Sequence, residues 1–269
     1  MSSLPLAHIT NFLDETFPAN LAAEWDSVGL VVGAPENTVE RILLTVDVTQ
    51  ATVQQAIDED VSLIIAHHPL LLRGVTSIAE TTSKGMLVSQ LLRHKIALYT
   101  AHTNADAAWP GVSDALAESL GLNVRPDFAL EVETGIGRIG ELVTSMSAQE
   151  FARQVSQSLP YSPSAVQLAG DTKKVITTVA VCGGAGDSLL EAVSALNVDA
   201  YVTSDLRHHV VSEFVATNDC VLINIAHWAG EWPWLNQLAR QMDDGFGDKV
   251  KVIVSQIPTD PWVISIARS

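Results

Sequence analysis

Two adjacent histidines, His67 and His68, close an apolar run from Val61 to Ala66 and are followed at once by Pro69. The run has the length and β-branching of a buried strand, and proline cannot continue its ladder. In a parallel α/β sheet the carboxyl end of a strand is where the chain leaves the core and where ligands bind. Two imidazoles at that exit suit metal ligation or proton transfer; one core and one surface histidine is the ordinary alternative. A second signal is a repeated spacing. Ala101-His102 with Asp106, and Ala226-His227 with Glu231, each read Ala-His, three residues, then a carboxylate. That spacing could set acid and imidazole on one helix face, as in helical zinc motifs. Pro110 and Gly111 follow Asp106 closely, and Gly230 and Pro233 bracket Glu231. The expectation is therefore loops rising from strand ends, with each carboxylate near the start of the next helix, where the dipole alone could also favour it.

Taken together, His67, His68, Asp106, His227 and Glu231 supply three imidazoles and two carboxylates. Five ligands exceed a tetrahedral structural zinc site, and mixed N/O ligation suits zinc, iron, manganese or cobalt in an open site. The count fits two divalent ions about 3.5–4 Å apart, the separation in two-metal hydrolytic centres.

The elements that must position these residues alternate. Leu6, Ile9, Leu13 and Phe17 recur on one face of a first helix, capped by Ser3. Strands are expected over Arg41–Val46, Val61–Ala66 and Ile96–Ala101, with helices to about Ile57 (capped by Thr49) and over Lys84–His94 between them. From Asn123 to about Lys173 the pattern loosens, with a strand over Ile136–Thr144 and a capping box at Ser147 and Glu150. Alternation resumes with strands at Val175–Val181, Val198–Thr203 and Val221–Ala226 and a helix at His208–Ala216. Cys182-Gly183-Gly184-Ala185-Gly186 is expected to be a tight strand-to-helix turn, with a phosphate cradle as the less favoured alternative because the lysine of a P-loop is missing. Strands at Lys249–Ser255 and Trp262–Ala267 close the chain. The two halves echo each other, Asp60–Ile65 matching Asn197–Val202 in position. The fold class is α/β: two similar halves with mixed sheets covered by helices, and a metal site at strand C-terminal ends between the halves. The expected divisions are 1–125, a connecting region over 126–173, and 174–269.

With 269 residues and a net charge of −16, the chain can bury a large core but lacks the basic footprint of a nucleic-acid binder. No apolar run is long enough to span a membrane. Two cysteines, Cys182 and Cys220, make no disulfide framework, and the start lacks a signal-peptide pattern. The cytoplasm is the expected compartment.

The chain resembles the Nif-three-like dinuclear metal centre proteins, also described as GTP cyclohydrolase I type 2 homologues. The matching pieces are Trp25-Asp26-Ser27-Val28-Gly29-Leu30, Asp47-Val48-Thr49, His67-His68-Pro69, His102 to Asp106 with Gly111-Val112, Gly183 to Gly186, Thr203-Ser204-Asp205, and His227 to Glu231. The resemblance implies a two-metal site on His67, His68, Asp106, His227 and Glu231, and a toroidal homohexamer. It implies a hydrolase that acts on a small molecule, with GTP cyclohydrolase-like attack on a purine ring carbon as the candidate reaction. A non-catalytic, metal-binding hexameric scaffold or regulator is the alternative. Longer members carry an inserted domain between the halves. Ser204 stands where the family usually has glycine, and Trp228-Ala229-Gly230 where it has a tyrosine-rich segment. His102 and His209 match frequent family histidines and are placed behind the ligands, orienting a carboxylate or passing a proton; an ordinary hydrogen-bonded histidine is the alternative for each. Arg73, Lys84 and Arg207 could meet an anionic substrate, and Trp109 and Trp228 are the tryptophans nearest the site in sequence.

Overall fold

The apolar face read from Leu6, Ile9, Leu13 and Phe17 is buried throughout, but the helix that carries it starts without a serine cap. In the computed structural model, which describes residues 3–124, 129–130 and 134–266, Leu4–Pro5 is instead a short strand, β1, and α1 runs from Leu6 to Thr16. The N–H groups of Leu6 and Ala7 donate to the carbonyls of Asn37 (2.7 Å) and Pro35 (2.9 Å). These backbone acceptors satisfy donors that a Ser3 side chain would otherwise have to meet.

Beyond α1 come β2 (Gly29–Val32), β3 (Thr38–Val39), β4 (Arg41–Thr45), α2 (Gln50–Asp58), β5 (Leu63–Ala66), α3 (Ser83–Arg93), β6 (Ala97–Thr100) and α4 (Thr103–Ala107). Then follow α5 (Val112–Ser119), β7 (Leu122–Val124), β8 (Arg138–Ser147), α6 (Ala148–Ser158), β9 (Gln167–Ala169), β10 (Val175–Ala185), α7 (Leu190–Leu196), β11 (Ala200–Ser204), α8 (His208–Thr217), β12 (Val221–Ile225), α9 (His227–Phe246) and β13 (Lys251–Val254). Thr49 caps α2 and Ser147 caps α6, each within a reciprocal capping box.

The chain forms two compact units, Met1–Ala108 with Leu235–Thr259, and Trp109–Trp234 with Asp260–Ser269. The first holds a five-stranded sheet in the order β13-β4-β5-β6-β2, parallel except for β2. Leu43, Ile64 and Leu98 from its strands pack with Val53, Leu87 and Leu91 from α2 and α3. The second holds a six-stranded sheet, β7-β8-β10-β11-β12-β9, in which β10, β11 and β12 are parallel and the others antiparallel. Alternate residues of β10 enter different clusters: Val179 and Val181 pack with Phe151, while Ala180 and Cys182 pack with Val193 and Phe214. A strand buried on both faces must be apolar at every position, which is why its sequence reads as a continuous run.

Several expectations are corrected. Within the stretch expected to connect the halves, β8 pairs with β10 and β9 with β12, so these two strands are part of the second sheet. Those pairings join segments far apart in sequence, which local patterning cannot register. The glycine-rich segment is not a turn: β10 continues through Ala185, with a break in register between Val181 and Ala185. Residues 262–266 are not a strand, and Ala267 lies outside the described residues. Finally, neither His-acid segment is loop: Asp106 lies in α4 behind its N-cap His102, and His227 to Glu231 is helix, with Pro233 inside α9. The proline forfeits one hydrogen bond, to the Ala229 carbonyl. Burial of Trp228, Trp234, Leu235, Leu238 and Met242 at helical spacing outweighs that loss.

Candidate metal centre

In the first unit, β5 delivers its two histidines by extending its own ladder. The His67 N–H donates to the Thr45 carbonyl (3.0 Å) and the His68 N–H to that of Val46 (2.8 Å), before Pro69 ends the pairing. The His67 ring is fully buried, and its Nδ1 lies 2.9 Å from the Ala101 carbonyl. A carbonyl only accepts, so Nδ1 carries a proton and the neutral ring offers its lone pair at Nε2; Nε2 lies 3.7 Å from Asp106 Oδ1. His68 Nδ1 is held by Asp47 Oδ1 at 2.8 Å, and the other oxygen of Asp47 accepts from the Thr259 hydroxyl. Asp47 itself leaves the sheet just after β4, so neighbouring strand exits supply both the imidazole and its anchor.

His102 sits at the N-cap of α4, one residue past Ala101, which follows β6. Its Nδ1 meets Asp26 Oδ1 at 2.9 Å. The Asp26 side chain is fully buried and also accepts from the Thr103 N–H (3.0 Å), the Thr103 hydroxyl and the Ser27 N–H (2.7 Å). Burial tends to raise the Asp26 carboxyl, but the Thr103 and His102 contacts outweigh it and hold the group below the usual range. The rings of His67, His68 and His102 have centroids 5.0, 5.2 and 5.4 Å apart, and one nitrogen from each lies within 4.8 Å of the others. Burial, reinforced by the neighbouring His67, lowers His102 to about 4, so near pH 7 it is neutral. The structure thus brings His102 into the imidazole cluster itself, a closer position than the sequence reading gave it. Asp106 lies on α4, four residues on, its N–H bonded to the His102 carbonyl at 3.0 Å.

In the second unit, the candidate pair is made by helical periodicity. His227 and Glu231 are i and i+4 on α9, with Nε2 and Oε1 2.9 Å apart. His227 Nδ1 meets Asp205 Oδ2 at 2.6 Å. Glu231 is buried, and the end of β10 makes the room for it. Gly184 has φ +73°, and a Cβ there would stand 2.6 Å from Glu231 Oε1 and 3.4 Å from His227 Nε2. The Thr203 hydroxyl holds the Gly184 carbonyl at 2.9 Å. Sequence reasoning counted this glycine in a turn; its use is to let backbone approach a carboxylate and an imidazole.

His209 is exposed at the start of α8, edge-on to His208 at 5.2 Å. Arg207 is engaged by Asp187 (2.6 Å), while Arg73 and Lys84 are exposed. Trp228 is buried in α9, and the tryptophan that touches the histidine cluster is Trp25, 5.9 Å from the His102 ring.

The donor set fits a borderline divalent cation. Four imidazoles, His67, His68, His102 and His227, each commit Nδ1 to an oxygen. That arrangement fixes the tautomer and the ring orientation of metal-bound histidine and leaves Nε2 as the donor. Where Nε2 faces a carboxylate at 2.9 Å, two acceptors oppose each other, and a cation or a proton must lie between them. Among the described residues no helix is long and apolar enough to cross a membrane.

A family model described as Duf34/NIF3 (NGG1p interacting factor 3) matches residues 5–261. A Streptomyces coelicolor protein named GTP cyclohydrolase 1 type 2 homolog is 46% identical, over 98% of this chain and 95% of its own. A Mycobacterium tuberculosis protein of the same name is 33% identical across 369 aligned positions, covering 97% of each chain, so that relative carries many residues this chain lacks. Among solved structures, a Bacillus cereus protein related to NIF3 superimposes with a TM-score of 0.87 over 97% of this chain and 99% of its own, at 22% identity.

Proposed function

Because this chain belongs to the DUF34/NIF3 family, we propose that it is a dinuclear metal-dependent hydrolase in which His67, His68, Asp106, His227 and Glu231 hold two divalent ions. The observation that carries the reading is the commitment of every one of these imidazoles to an oxygen through Nδ1, which reserves Nε2 for a cation. Bound zinc, iron, manganese or cobalt would supply Lewis acidity, polarising a substrate and acidifying water toward a pKa of about 7.

The chain's own residues do the rest. Asp47, Asp205 and the Ala101 carbonyl orient the ligands. Asp26 fixes His102, which is neutral near pH 7 and can take up a proton through Nε2. The candidate reaction is water attack on the imidazole-ring carbon of a guanine nucleotide, following the name carried by the Streptomyces coelicolor relative. His209 is assigned a proton-passing role on the family resemblance, and its exposure leaves it accessible to solvent. A closed homohexamer is part of the same reading, supported by the exposed apolar run of Trp262, Val263, Ile264 and Ile266, which a neighbouring copy could cover. A solution mass that stays at 28.8 kDa on concentration would refute it. The cytoplasm, where two buried thiols stay reduced, is the assigned compartment.

Elemental analysis of protein purified without chelator tests the centre. About two ions per chain are expected, with marked loss in His68→Ala and in Glu231→Ala. His94→Ala, at the exposed C-cap of α3, should keep both. Unchanged metal content in the first two variants would refute the ligand set. Loaded protein that releases no formate from GTP and hydrolyses neither other nucleotides nor phosphoesters would be the scaffold or regulator.

A further inference from the structure

Trp25 is 63% exposed, although an indole is among the costliest side chains to leave in water. It is not on a loose loop. The Asp26 N–H donates to the Ala23 carbonyl (2.9 Å), and the Ala23 N–H donates to the Thr103 hydroxyl oxygen (2.9 Å). Asp26 in turn binds His102, Thr103 and Ser27 from a fully buried side chain. The residues on either side of Trp25 are thus tied to the same N-terminal turn of α4 that carries His102. The indole meets the His102 ring at 5.9 Å with an interplanar angle of 74°. A large aromatic surface is therefore presented, already ordered, at the edge of the His67, His68 and His102 cluster.

The charge around that cluster narrows what the surface can receive. The carboxylates Asp26, Asp47 and Asp106 adjoin it, and the chain as a whole carries −16. Such surroundings give a polyanion little grip of their own. An aromatic face, by contrast, gains from any flat π-system whatever its charge.

We infer that Trp25 is the substrate-stacking residue of this site and that the substrate presents a planar nitrogen heterocycle of purine or pterin size. The inference rests on the metal-centre reading for its location. The ring the indole meets, His102, is not one of the five proposed ligands, so metal content and ring affinity are separate readouts.

The test is isothermal titration of full-length, metal-loaded protein with GTP, guanosine and pterin, and with inorganic triphosphate as the ring-free probe. Wild type should bind at least one of the heterocycles. Trp25→Ala should weaken that binding by about tenfold or more, and Trp25→Phe by less. Triphosphate affinity and ion content should be the same in all three proteins. Equal heterocycle affinity in wild type and Trp25→Ala would overturn the inference, as would a loaded wild type that binds none of the rings. A change in solution mass in Trp25→Ala would also overturn it, making Trp25 a contact between copies. Protein that holds no metal would sink the hydrolase reading instead, and the same titrations on it would still report on Trp25. If Trp25→Ala melts much lower than wild type, Trp25→Phe and the triphosphate control decide.

Discussion

The two units build their candidate ligands in opposite ways. In the first, His67 and His68 come from the exit of β5 and His102 from that of β6, and each is oriented by a group distant in sequence: the Ala101 carbonyl, Asp47 and Asp26. In the second, His227 and Glu231 come from one helical turn, and only the lateral supports, Asp205 and Gly184, arrive from elsewhere. The first arrangement should fail as a network when one anchor is removed. The second should tolerate loss of an anchor but not intrusion into the space beside the helix.

The largest effect is expected from Asp26→Ala. It strips the acceptor from the His102 imidazole, the Thr103 N–H and hydroxyl, and the Ser27 N–H at once. Leaving buried donors unmet should cost about 2–4 kcal/mol in urea unfolding and lower metal occupancy as well. A variant as stable as wild type would show that the first cluster is not a cooperative network.

Gly184→Ala probes the other unit. Its Cβ would press on Glu231 Oε1, and an L-residue at φ +73° is strained. The expected cost is about 1–3 kcal/mol, with metal affinity reduced by about 10- to 100-fold. Undiminished affinity measured by chelator competition would mean that the helix shifts to accommodate the methyl, and the contrast between the units would weaken.

Acid should act on the two units over different pH ranges. Burial and then His67 hold folded His102 at about 4, while an unfolded histidine titrates near about 6.5. The unfolded chain therefore takes up this proton first. The contribution is complete above about pH 6.5 and is lost as pH falls toward 4. In the second unit, burial tends to raise Asp199, but hydrogen bonds from Thr178 and Thr177, with Lys174 nearby, hold it below its ordinary value. Its contribution is complete above about pH 4, the unfolded value, and is lost below that. Melting of chelator-treated protein should therefore decline in two phases. His102→Gln should remove the upper one, and Asp199→Asn should reduce the lower one, to which Asp26 of the first unit also contributes. One acid phase, unmoved by either change, would contradict the difference between the units.

Much of this was legible in the chain. The strands at β4, β5, β6, β11 and β12 announced themselves by apolar runs, and Thr49 and Ser147 by capping chemistry, because these are local properties of a few adjacent residues. The histidines and acids at strand exits could be picked out by type and position. Their anchors were visible only as motif pieces: nothing in Trp25-Asp26 or Asp47-Val48 says which imidazole each will hold. The glycines of β10 were read as a turn because a turn is their commonest use; the bulge that aims Gly184 at Glu231 depends on β11 beside it.

The amino-acid sequence by itself determined the α/β class, much of the order of elements and the candidate donor residues, since period, propensity and side-chain chemistry are written residue by residue. The tertiary structure alone decided that β8 and β9 complete the second sheet, that His102 joins His67 and His68, that α9 runs through Pro233, and that Trp25 stands beside the cluster. Each of these depends on pairings and burial between segments distant in the chain. Their free energy exists only once the partner is in place, and no local window contains both sides of the contact.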